Sequence, residues 1–161
     1  MQSISPPATT TGPHSHAEAA RAQKMSEALA CGLDDALISD LVEQFYKTVQ
    51  TDERLGPIFA KHVGDWPTHL SRMKDFWASI MIESGRFNGS PMQKHIAIGG
   101  IDAEHFRDWQ ALWERTVTQL APNPIVRDRF LQAAGRIGKS LLTAIELDRG
   151  GLEAISTRKT C

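Results

Sequence analysis

The chain has 161 residues with 18 basic and 19 acidic side chains, a formal net charge of −1, and this length suits one globular domain. The balance excludes a nucleic-acid binder that works by neutralising phosphates, because no window gathers Lys and Arg without interleaved acids, and it excludes a basic membrane-surface helix on the same ground. No apolar run approaches the ~20 residues of a membrane span, the first residues lack the pattern of a secretory signal, and the two cysteines, Cys31 and Cys161, form no disulfide framework, so a cytoplasmic protein is expected.

Residues 1–16 hold Pro6, Pro7, Pro13, a Thr9-Thr10-Thr11 run and no charged side chain, a composition that cannot offset the entropy of ordering and predicts a disordered tail. His14 and His16 within it are at most a loose metal pair. An Ala-rich helix is predicted from Ala17 to Cys31, stopped by Gly32. Asp34 or Asp35 caps the next, whose apolar positions Leu37, Ile38, Leu41, Val42, Phe45, Tyr46 and Val49 follow the i, i+3, i+4 spacing of one buried face.

Gly56-Pro57 interrupts Thr51 to Ala60 and predicts a short turn pressed onto the core. Pro67 suits the first turn of a helix running to Ser84, with Gly85 as its end. That helix has one stripe through Trp66, Leu70, Met73, Trp77, Ile80 and Met81 and a second through His69, Met73, Phe76 and Ile80, an apolar arc wide enough to face two things at once. Ser90-Pro91 opens a short helix to about Ile98. Asp102 caps a helix apolar at Phe106, Trp109, Leu112, Trp113, Val117 and Leu120. Asn123 and Pro124 open the last, apolar at Val126, Phe130, Ala134, Ile137, Leu141 and Ile145, until Gly150-Gly151. No strand pattern of useful length occurs. The predicted organisation is an all-α domain over residues 17–150, two pairs of long helices with a glycine-rich connection, followed by a flexible C-terminus over 151–161.

Motifs for nucleophilic hydrolysis, phosphate cradling, zinc binding, di-iron bundles and covalent c-type haem attachment are missing from the sequence. The histidines are left. His95 shares a helical face with Met92 and Ile98, which admits two readings: a core histidine with one satisfied hydrogen bond, or an axial iron ligand on a short helix between flexible glycines. A haem site needs one neutral imidazole, a wide apolar slot and, opposite, donors that reach an iron-bound diatomic. Tyr46, His69 and Trp109 each place a polar tip on an apolar body, and each also has a plain packing role open to it.

The segments Phe45-Tyr46-Lys47, Leu55-Gly56-Pro57-Ile58-Phe59, Phe76-Trp77, Phe87-Asn88-Gly89-Ser90-Pro91-Met92-Gln93-Lys94-His95 and Phe106-Arg107-Asp108-Trp109, in this order over roughly Asp35 to Leu147, resemble the third group of truncated haemoglobins. The resemblance implies a shortened globin in which two antiparallel helix pairs sandwich a b-type haem. It implies His95 as the proximal iron ligand, and Tyr46, His69 and Trp109 as distal groups that hold the ligand. It implies Phe59 against the haem edge and Arg72 and Lys94 toward the propionates. Phe45, Met73, Phe76, Trp77, Met92, Ile98 and Phe106 complete the expected haem contacts. The tail and His62, in the turn ahead of Pro67, depart from the family pattern, and His62 leaves open which histidine enters the distal pocket.

Three functions follow as alternatives. The first is a haem protein, monomer or weak dimer, with a five-coordinate iron that binds O2, NO, CO, cyanide or sulfide. The second is peroxide or reactive-nitrogen detoxification at the same iron, with electrons from a reductase. The third is a haem-free helical interaction module.

Overall fold

Asp34 holds extended backbone and its carboxylate accepts the Leu37 N–H at 2.8 Å, which starts the second helix where the apolar spacing begins. The structure, a computed structural model, describes residues 13–158 and the side chains of 15–151. Its elements are α1 (Pro13–Ala30), α2 (Asp35–Val49), α3 (Leu55–His62), α4 (Trp66–Met81), α5 (Pro91–Ala97), α6 (Ala103–Leu120) and α7 (Pro124–Arg158). No strand occurs among the described residues.

The long helices pack as the pattern requires. α2 lies on α4 and α6, α6 lies on α7, and the short α5 rests on α7. Ile38, Leu41, Val42, Phe45, Tyr46 and Val49 of α2 are all buried, together with Trp77 and Ala78 of α4, Leu112, Trp113 and Val117 of α6, and Val126 and Phe130 of α7. At the centre Trp77 and Trp113 stack at 4.4 Å and 10°, with Phe45 edge-on to Trp113 at 5.0 Å. Truncation of Phe45 to Ala is expected to cost about 3–5 kcal/mol, read from denaturant unfolding.

Four boundaries differ from the sequence expectation, each for a local reason. α1 begins at Pro13, inside the predicted tail, with Pro in the first turn where its missing N–H is not needed; residues 1–12 lie outside the description. No α1 side chain described before Ala28 is buried, so a chain starting at Ala17 should keep its melting temperature to within about 2–4 °C, checked by thermal unfolding. α1 ends as predicted near Gly32, which has φ +82°, while Leu33 N–H donates to the Ala28 carbonyl at 2.9 Å and both side chains are buried.

The expected turn at Thr51–Ala60 contains the helix α3. Pro57 falls within its first turn, where N–H groups have no helical acceptor, and Asp52 Oδ1 accepts the Leu55 N–H at 2.8 Å. α4 ends at Met81, short of Ser84, and the chain turns through Glu83 (φ 53°) and Gly85 (φ 68°). α7 continues through Gly150-Gly151 to Arg158; residues 159–161 lie outside the description. No helix among the described residues is long and apolar enough to cross a membrane.

Candidate functional site

A cavity of about 580 Å³ opens between α2, α3, α4 and α6 on one side and α5 and α7 on the other, within the size range of ligand sites. Its walls are mostly apolar: Phe59, Met73, Phe76, Trp77, Ile98, Phe106, Ile137 and Leu141 line it, and the polar groups Tyr46, His69, Arg72, Lys94, His95 and Trp109 converge on it.

His95 stands in the last turn of α5, a helix that buries none of its side chains. Its Nδ1 lies 2.7 Å from the Pro91 carbonyl oxygen. A carbonyl can only accept, so Nδ1 carries the proton and donates, and the Nε2 lone pair is free. This is the arrangement that orients an imidazole as a metal ligand. No group of three His, Cys, Asp or Glu among the described residues could hold a metal ion. Any ion on His95 must therefore bring most of its ligands with it.

The opposite wall is aromatic. Tyr46 meets His69 edge-on at 4.9 Å and Phe59 at 5.6 Å, and Phe45 separates Tyr46 from Trp109. Burial pushes the Tyr46 phenol above its ordinary range. Burial, then the positive charges of Arg72 and Lys94, hold the His69 imidazole below its usual 6.5. Both groups are neutral near pH 7. His69 Nε2 is buried without a protein partner, an orphan that a ligand in the cavity would satisfy. Neither the Tyr46 hydroxyl nor the Trp109 indole N–H donates to a protein acceptor among the described residues.

The His69 shift has a consequence for the protein without ligand. Below pH 6.5 the unfolded imidazole takes a proton that the folded one refuses, so stability falls as pH drops through this window and levels off once the folded group also titrates. The fall should be shallower in His69→Leu than in the parent, measured by urea unfolding between pH 7 and pH 5, and equal slopes would remove His69 as the source.

Of the residues expected at the site, Phe45 and Met92 do not line the cavity. Phe45 is core, 1% exposed, and Met92 points to solvent at 43%. Phe59, Met73, Phe76, Trp77, Ile98, Phe106 and the six polar groups do line it. His62 lies at the wall as well, together with groups the sequence reading did not name as site residues, among them Phe87, His105, Ile137, Gly138 and Leu141. Ile137 and Leu141 carried an apolar signal, but an apolar stripe does not distinguish a face on the core from a face on a cavity. Arg72 and Lys94 form no ion pair among the described residues and stand at the wall as two free cations.

The described helices and this cavity define an all-α globin. No family model matches the chain. A group 3 truncated haemoglobin of Campylobacter jejuni is 33% identical over 104 residues, 62% of this chain and 81% of the relative. The crystal structure of a group III truncated haemoglobin from Campylobacter jejuni superposes with a TM-score of 0.66 at 29% identity, covering 70% of this chain and 91% of that one. The chain belongs to the group III truncated haemoglobins.

Proposed function

We propose that the chain is a cytoplasmic b-type haem protein that binds O2 and other small ligands, NO, CO, cyanide or sulfide among them, with His95 as the proximal ligand. The observation that carries this reading is the free Nε2 of His95, fixed by the Nδ1 contact to the Pro91 carbonyl, on an apolar cavity of about 580 Å³. The cavity fits the group: mostly apolar walls suit a macrocycle, the free cations Arg72 and Lys94 suit its carboxylates, and the orphaned His69 Nε2 suits a polar ligand on the far side. When bound, haem supplies an iron that takes a small ligand at the position left open by the protein.

The chain's own residues do the rest. His95 orients through Pro91; Phe59, Phe76 and Phe106 exclude water; Tyr46 and Trp109 hold donor protons for the ligand; and His69, kept neutral, can give or take one proton at its ring. Haem titration of the chain tests the reading. A Soret band that saturates at one haem per chain and shifts under CO is expected, and folded protein that stays colourless would favour the haem-free interaction module. A second reading rests on the neutral, unpartnered His69: an imidazole that can accept a proton beside the ligand also suits peroxide or reactive-nitrogen chemistry, with electrons from an external reductant. The protein is proposed to act as a monomer or weak dimer.

A further inference from the structure

Trp66, at the start of α4, is an aromatic group that the site does not use. It is half-buried and does not line the cavity, yet its ring lies 6.1 Å from Tyr46 and 5.7 Å from His69. Tyr46, the one tyrosine of the chain, does line the cavity. Two side chains in sequence therefore connect the cavity to solvent. Of the other three tryptophans, two are closed off from solvent and the third, the half-buried Trp109, belongs to the cavity wall itself. Trp109 and Trp77 line the cavity, Trp113 stacks between them at 6.2 and 4.4 Å, and Trp113 and Trp77 are 1% and 2% exposed.

We propose that Trp66 and Tyr46 form a one-electron relay through which bulky aromatic donors, too large for the cavity, are oxidised at the protein surface when peroxide is reduced inside it. The proposal rests on the haem reading above. The balance is that of a peroxidase. One hydrogen peroxide accepts two electrons and two protons and leaves as two waters, and two donor molecules each lose one electron at Trp66. In each transfer Tyr46, which lines the cavity, gives up an electron and its phenolic proton toward it, one of the two of each that peroxide takes up. Trp66 then returns an electron to Tyr46, whose oxygen takes a replacement proton from water, and the oxidised indole is reduced by the donor. The steepness with which electron transfer decays with distance makes two short aromatic steps faster than one long one.

The test uses the full chain loaded with haem, treated with hydrogen peroxide, first without a donor and then with the bulky dye ABTS. Without a donor, peptide mapping by mass spectrometry should find oxygenated Trp66, absent from peroxide-treated haem-free chain and absent from Tyr46→Phe. With ABTS, Trp66→Phe should lose dye oxidation while keeping its Soret band, and Trp66→Tyr should recover it, since a phenol still carries the electron. Oxidation confined to Trp77, Trp109 or Trp113, or dye oxidation unchanged in Trp66→Phe, overturns the relay while leaving haem binding intact. A chain that shows no Soret band removes both the relay and the reading on which it rests.

Discussion

His95→Gly is expected to lose haem, and free imidazole added to the variant is expected to restore it. α5 buries none of its side chains, so the substitution removes a ring that the core does not depend on, and far-UV circular dichroism should show unchanged helix content. What it removes is an oriented imidazole whose second nitrogen is free, because Nδ1 donates to the Pro91 carbonyl oxygen at 2.7 Å. Loss of an outer partner of a metal-bound histidine already costs about 10–100-fold in affinity, and loss of the ligand itself should cost more than that. The measurement is Soret absorbance during haem titration, with and without imidazole. Retention of haem equal to the parent would dismiss His95 and turn attention to His62, His69 or His105, which share the cavity wall.

The long helices were legible because burial on one face writes a period of 3.6 into the sequence, and α2 follows it without exception from Ile38 to Val49. The glycines were harder to read. Gly32 stops α1 because a left-handed backbone there lets Leu33 bond back and bury against Ala28. Gly150 and Gly151 have no such partner pattern, and a glycine inside a helix costs only about 1 kcal/mol, so α7 passes through them. Gly56-Pro57 looked like a breaker, but a proline in the first turn of α3 lacks only an N–H that had no acceptor.

Individual site residues are decided by rotations finer than the pattern. Phe45 and Tyr46 are neighbours about 100° apart on α2; both are buried, yet one faces the indoles of the core and the other faces the cavity. Met92 and Ile98 flank His95 by about 60° on opposite sides. Only Ile98, the cap residue beyond the helical turns, reaches the cavity. His105 caps α6 through Asp102, its Nδ1 2.8 Å from Oδ1, a local role that gave no sign of the cavity behind it.

Trp109→Phe and Tyr46→Phe are each expected to speed O2 dissociation by roughly 10- to 150-fold, the equivalent of one charge-assisted hydrogen bond of about 1.5–3 kcal/mol. O2 takes on negative charge when it binds, and a donor aimed at it is worth most in a dry, low-dielectric site. Both donors meet that condition: each lines the cavity, and neither the phenol nor the indole N–H is committed to a protein acceptor among the described residues. The phenol stays protonated because burial raises its pKa above the ordinary range. The neutral His69 meets the Tyr46 ring edge-on at 4.9 Å between ring centres with no hydrogen bond to its hydroxyl, so the phenolic proton stays available to the ligand. CO is less polar when bound and should respond far less to either substitution, which separates hydrogen bonding from steric access. Stopped-flow dissociation rates within twofold of the parent for both variants would assign the ligand to His69 or His62 instead.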